Sequence, residues 1–518
     1  MVNQVSRTFV LVGLVVVILL AMHFMPQLTF DETPLRRVNV LSDVLPEVMQ
    51  GDDDLNFVPA VPAAPLPGAA DQRGLIAVSQ DGTVGRQQQP AQEGSDSQSA
   101  PAAMDEMPYI APSADGDTPT DSTMTATATA DADAVGKKLF LDYSGGAQGG
   151  MAHFFRQLAN VRQLGRPVRV AYYGDSFIEG DIFTADVREL LQDQFGGCGV
   201  GWVDCASQVH GFRQSVQHSF NGIKEYEVVK RPFSHQNQGI AQRYFTASEG
   251  ARITYKAGRS RRHQGQWDKA IFYLRTDGGL RLRTTLNGDT TVTDTVGGSA
   301  NLQAIIRTAG YAPGDSLRKQ RQMNSVSYQL QGIGSGTLLY GVALEPTQGV
   351  VVDNFSMRGS AGYTLQQIPA ATLSQFAAQR PYDLIVVHYG LNVANSRQAN
   401  YSNYTRNMGQ AIDHLHQAYP QASILVVSMP DRDQRSEAGL RTMNGVEQLV
   451  AYQQIMASDH HVCFFNLFEA MGGRESMKSL VDQGMANRDY THINFKGGKH
   501  LGRIFYESLM ATYHSYGY

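Results

Sequence analysis

Five apolar runs limit what this chain can fold into. PVRVAYYG (167–174), GVVVDNFSM (349–357), YDLIVVHYG (382–390), ASILVVSM (422–429) and HVCFFNLF (461–468) are too short for helices and apolar on both alternating faces. Such runs read as strands buried on both sides. Amphipathic stretches at 151–164, 182–195, 366–379, 401–418, 437–457 and 497–513 alternate with them. Strand–helix alternation with doubly apolar strands predicts an α/β fold, a three-layer parallel sheet of the flavodoxin-like kind covered by helices on both faces.

One interval breaks the rhythm. Between 207 and 346 there is no long helical pattern, only short alternating runs such as ARITYKA, KAIFYLRT, GLRLRTTL and SVSYQLQ, separated by Gly, Asn, Asp and Pro. These predict a β-sandwich of roughly 140 residues inserted between the first two strands of the α/β domain. Four aromatics there, Tyr244, Phe245, Tyr255 and Trp267, suit either a core or a face that stacks on sugar rings.

The N-terminal third is a different polymer. Residues 8–25 are an apolar run, about 27 Å long as a helix, enough for a bilayer core. An uncleaved transmembrane anchor is the expectation, with a cleaved signal peptide as the rival. Residues 31–135 carry 18 acidic and 4 basic side chains, a balance of −14, among Pro/Ala, Gln/Ser and Ala/Thr stretches. That composition predicts a disordered linker. The net charge of −5 is therefore a sum of unlike parts, since residues 136–518 carry +8. A near-neutral total argues against a nucleic-acid binder working through a general positive field. Three cysteines exclude a disulfide-dense scaffold and a multi-cysteine zinc framework. Cys198 and Cys205 either pair or stay free, and Cys463 sits in an apolar strand. The expected division is 1–30 anchor, 31–135 linker, 136–206 first part of the α/β domain, 207–346 insertion and 347–518 second part.

The chemistry-bearing residues follow the strands. Gly174-Asp175-Ser176 ends the first apolar run, which places Ser176 at the carboxyl edge of a parallel sheet, where α/β folds hold ligands. A second copy, Gly314-Asp315-Ser316, follows a proline inside the insertion and reads as a turn. Gly359 follows the second run. Gly390-Leu391-Asn392 ends the third, where an amide side chain can donate to an oxyanion. Asp489-Tyr490-Thr491-His492 lies in the last loop, and its three-residue offset lets a carboxylate orient an imidazole. Asp413 and His416 share that spacing on an amphipathic helix and read as a solvated face. His460-His461 reads as a loop. Asp431-Arg432-Asp433 ends the fourth run as either a substrate contact or a solvated loop.

Taken in order, the blocks at Ser176, Gly359, Gly390 with Asn392, and Asp489 with His492 resemble the SGNH (GDSL-type) hydrolase superfamily over 136–206 and 347–518. The resemblance implies a Ser176–His492–Asp489 triad and an oxyanion hole built by Ser176, Gly359 and Asn392, with no metal or organic cofactor. Asp175, Gly390, Asp431 and Tyr490 are the candidate substrate-contacting positions. The layout of anchor, linker, hydrolase and β insertion is similar to that of envelope enzymes that remove or add O-acetyl groups. It implies a single-pass inner-membrane protein with a periplasmic esterase acting on an envelope polysaccharide or peptidoglycan. The alternatives are an O-acetyltransferase that uses the same triad with a membrane-bound O-acyltransferase as donor, and a non-catalytic wall-binding protein working through the insertion.

Overall fold

The computed structural model describes residues 140–518 except 147–148, 259, 311–321 and 437–438, together with the backbone of 29–30 and 33–34. The expected anchor at 8–25, nearly all of the linker 31–135 and the second Gly-Asp-Ser lie outside the described residues. Among the described residues no helix is long and apolar enough to cross a membrane. In the unit 1–114, Thr29–Phe30 pairs antiparallel with Thr33–Pro34.

The second unit opens with β1 (Leu141–Asp142), α1 (Ala152–Ala159), β2 (Val168–Gly174), a 3₁₀ segment (Ser176–Asp181) and α2 (Thr184–Phe195). The inserted strands follow as β3 (Gly201–Val203), β4 (Val216–Glu227), β5 (Arg243–Ala257), β6 (Lys269–Thr276), β7 (Leu280–Leu286), β8 (Thr290–Val296), β9 (Ser299–Thr308), β10 (Ser325–Gln331) and β11 (Leu338–Glu345). The α/β part resumes with β12 (Val350–Ser356), α3 (Ala370–Gln379), β13 (Leu384–His388), α4 (Ser402–Ala418) and β14 (Ser423–Val427). A hairpin of β15 (Asp433–Ser436) and β16 (Gly439–Thr442) comes next, followed by α5 (Val446–Asp459), β17 (Cys463–Phe465), α6 (Leu467–Ala470), α7 (Ser476–Asp482) and α8 (Phe495–Ser515).

Every residue of β2, β13, β14 and β17 is buried, as the doubly apolar runs require. With β12 they form a parallel sheet in the order β12-β2-β13-β14-β17, extended by β1 antiparallel to β17. Two packed helix groups, α1 with α2 and α8, and α3 with α4 and α5, cover it. Register aligns Gly174 with both Ser356 and His388. The loops after β2, β12 and β13 therefore leave the sheet at one height on one edge.

The insertion is one nine-stranded antiparallel sheet nearly divided in two. Strands β4, β5, β7, β8 and β10 form one part, and β3, β6, β9 and β11 the other. The join between β5 and β11 is the single pair Phe245–Leu339. Side chains of both parts, among them Phe245, Ile253, Leu282, Phe272 and Leu344, share one buried core, which makes the insertion a sandwich.

Two details depart from the sequence reading. Gly201–Val203 falls before the expected boundary at 207 but pairs with β11, so the sandwich begins earlier. The stretch 437–457 is not one helix: the β15–β16 hairpin takes its beginning, and α5 starts only at Val446, after Gly445.

The insertion is welded to the sheet. Trp202 of β3 donates its backbone N–H to Asp353 Oδ1 of β12 (2.9 Å), and its ring stacks on Tyr273 and leans on Phe355. Glu345, at the end of β11, takes Arg169 of β2 and Arg380 at 2.7 Å each, and Arg380 also holds Asp353 at 2.7 Å. Burial alone would raise the Glu345 carboxyl, but the two guanidiniums outweigh it and hold it down at about 2.

Candidate active site

Ser176 opens the 3₁₀ segment just past the end of β2. Its Oγ lies 2.9 Å from His492 Nε2, and His492 Nδ1 lies 2.7 Å from Asp489 Oδ2. The other carboxylate oxygen, Asp489 Oδ1, accepts the backbone N–H groups of Thr491 and His492 at 3.0 Å each. Burial would raise this carboxyl. The His492 ring and the two N–H groups prevail and keep it below the usual carboxylate range. The turn is folded tightly: Tyr490 adopts a positive φ of 53°, Asn487 N–H donates to His492 O (2.8 Å), and Tyr490 O accepts the N–H of Asp433 (3.1 Å).

Neighbouring loops are tied to the serine loop one by one. Met357 N–H donates to Gly174 O (2.8 Å). Buried Asp175 accepts the N–H of Phe177 (3.0 Å) and that of Leu391 (3.2 Å), joining the loops after β2 and β13. Burial pushes the Asp175 carboxyl up to about 6 despite these bonds. Asn392 Nδ2 donates to Ser360 O (3.0 Å), joining the loops after β13 and β12. An amide nitrogen carries two hydrogens, so one remains to donate elsewhere. Gly359 has φ +79°, and a Cβ there would meet nothing within 4 Å, so the loop turns in open space. Gly390 lies against β14's exit, where a Cβ would come 2.4 Å from the Met429 Cβ.

The remaining sequence candidates lie elsewhere or act differently. Asp431 is fully buried and neither solvated nor open to a substrate. Its carboxylate accepts from Thr442 Oγ1 (2.9 Å) and from the N–H of Met477 (3.0 Å), fastening the hairpin to α7. Asp413 binds His460 Nδ1 at 2.8 Å rather than His416. Tyr244, Phe245, Tyr255 and Trp267 are all buried and belong to the packed interior. Cys198, Cys205 and Cys463 are free and buried.

Three further side chains border the site. Arg358 donates from Nε to Glu179 Oε2 (2.9 Å), linking the residue before Gly359 to the serine segment. Arg432 donates to Leu391 O (3.3 Å), and its charge acts on Asp489. Phe212, from the insertion, covers Gly180 so closely that a Cβ there would lie 2.5 Å from its ring. Arg358 and Arg432 stand in the loops after the second and fourth apolar runs and Phe212 in no pattern at all, and only the fold brings the partners of all three together.

A Ser–His–Asp line beside an amide donor at the carboxyl edge of a parallel sheet is the apparatus of acyl-ester chemistry. Residues 327–498 match the family model of the GDSL-like Lipase/Acylhydrolase family, a span that includes Gly359, Asn392, Asp489 and His492. No curated protein matches the chain. Among solved structures, one described as a peptidoglycan O-acetylesterase in action is 21% identical, with TM-score 0.57, covering 73% of this chain and all of that one. A family two carbohydrate esterase from Clostridium thermocellum in complex with cellohexaose is 9% identical, with TM-score 0.23, covering 57% of this chain and 99% of that one. Residues 327–498 therefore carry the GDSL-like lipase/acylhydrolase signature of an ester hydrolase, and the fold around them is shared with the solved esterase.

Proposed function

We propose that this protein is a serine esterase that removes O-acetyl groups from a cell-envelope polysaccharide or peptidoglycan. The observation that carries the reading is the hydrogen-bonded line from Ser176 Oγ through His492 to Asp489. Ser176 Oγ attacks the ester carbonyl while His492 Nε2 takes its proton. Asp489 holds the imidazole in the tautomer that leaves Nε2 free to accept, and stabilises the cation that forms. The backbone N–H groups of Ser176 and Gly359 and the spare Asn392 hydrogen receive the oxyanion. His492 then protonates the departing sugar oxygen, and an acetyl group remains on Ser176. Water, deprotonated by the same nitrogen, releases acetate and restores the serine.

The glycan reading draws on the similarity to a peptidoglycan O-acetylesterase. The expected anchor at 8–25 and the acidic linker fit an enzyme held at the membrane with its catalytic part outside the cytoplasm. The test is acetate release from an aryl acetate and from O-acetylated peptidoglycan. Ser176→Ala is expected to lower both rates by at least about 10³-fold, and full activity in that variant would overturn the assignment. If acetate is instead recovered on added glycan, the enzyme is the transferase of the same triad.

A further inference from the structure

A groove of about 570 Å³ is lined by α2, by Gln214 and 260–262 of the insertion and by the start of α8. Five cations face it: Arg261, Arg262, Lys496, Lys499 and Arg503. Its two acidic residues are already engaged. Asp186 pairs with Arg261 at 2.6 Å, Arg262 pairs with Asp193 at 3.3 Å, and Glu189, which accepts the backbone N–H of His263 at 3.2 Å, offsets one further cation. Lys496 Nζ donates to the neutral carbonyl of Gln483 (2.9 Å) and keeps its charge. Lys499 and Arg503 are exposed, four residues apart on α8, and have no ion pair among the described residues. The groove is thus left with uncompensated positive charge.

One end is aromatic and connects to the serine segment through Phe212. Phe495, which lines the groove, lies three residues after His492. Its ring is 4.9 Å from that of Phe212, and Phe212 rests on Gly180 in the same 3₁₀ segment that begins with Ser176. Phe212 is 48% exposed, one of the few large apolar side chains left open to water. Exposed Phe212, backed by the half-buried Phe495, offers an apolar ring face to a pyranose ring, and the cations beyond it attract carboxylates.

Building on the esterase reading above, we propose that the Phe212–Phe495 pair and the Lys499–Arg503 groove form an extended subsite for an anionic glycan strand, namely peptidoglycan with carboxylate-bearing stem peptides. A sugar next to the acetylated residue stacks on the aromatic pair, and the stem carboxylates lie along α8. The insertion supplies half of the platform, which gives it a part in substrate choice. Charge complementarity selects the occupant: a neutral glycan gains the stacking but nothing from the cations.

The experiment compares the wild type with the double variant Lys499→Glu, Arg503→Glu on three substrates: an aryl acetate, soluble O-acetylated peptidoglycan strands, and O-acetylated xylan as the neutral glycan. Neither residue touches the triad, so aryl acetate turnover is expected unchanged, which also shows that the variant is folded. KM for peptidoglycan strands is expected to rise at least about tenfold. The wild-type rise of that KM with salt is expected to vanish in the variant, and xylan kinetics should not move. An unchanged peptidoglycan KM and salt dependence, or an equal KM rise on xylan, would overturn the groove assignment and leave the esterase reading standing. A wild type that cleaves aryl acetate but frees no acetate from peptidoglycan would overturn the substrate reading and the groove assignment with it.

Discussion

At the residue scale the site depends on one carboxylate doing two jobs. Asp489 fixes the His492 ring through Oδ2 and folds its own turn through Oδ1. Asp489→Asn keeps an acceptor for one job but presents an N–H₂ to the other, which forces the wrong tautomer on the ring. The expected loss in kcat for an aryl acetate is up to about 10⁴-fold with little change in KM, measured by steady-state kinetics. Ser176 and Asn392 were legible in the sequence because each follows the end of an apolar strand, and Asp489 and His492 because their three-residue spacing stands in the loop before the last helix. Asp431 shared that placement and misled: a position at the functional edge does not say which way the side chain turns, and burial took it into the Thr442–Met477 contacts. Phe212 and the pairing of Arg358 were illegible because the partners, Gly180 and Glu179, lie far away along the chain.

Among the elements, the short segment Ser176–Asp181 carries the nucleophile at one end and an anchor at the other. Asp181 is buried and binds Arg188 of α2 at 2.8 Å, together with Arg213 at 3.1 Å and Ser215 at 2.6 Å from the insertion. Burial would raise its carboxyl, but the two guanidiniums drive it far below the usual range. Asp181→Ala leaves Arg188 buried without its partner. It is expected to destabilise the protein by about 3–5 kcal/mol, read as a lowered urea midpoint, and to lower kcat through the displaced serine segment. The strands themselves were easy to read, since a run buried on both faces must be apolar throughout. The edge strand Leu141–Asp142 was not, because two residues carry no periodicity. The β15–β16 hairpin was hidden by polar residues that suit a helix surface equally well.

At the scale of the whole molecule, the ion cluster beneath the sheet couples the two parts to pH. Glu345 has a folded-state pKa of about 2, depressed from its ordinary 4.5. Its contribution to stability is therefore fully present above the ordinary value and is lost as pH falls toward 2. Glu345→Gln is expected to lower stability near neutral pH by about 3–5 kcal/mol and to flatten the fall in urea midpoint between about pH 5 and pH 2. Chemical denaturation across that range, with both chains side by side, checks the prediction.

Trp202 has a consequence for how such a chain is assembled from parts. Its backbone belongs to the sandwich and its ring to the interior shared with the sheet, stacked on Tyr273 and against Phe355. A gene fragment cut at the visible change of pattern, near 207, leaves Gly201–Val203 behind and strips Val342–Leu344 of a hydrogen-bonded neighbour. The excised piece then exposes an open strand edge and an apolar hollow, both invitations to aggregate. The sandwich is thus not a portable module. It moves between proteins only together with the strand it was built against.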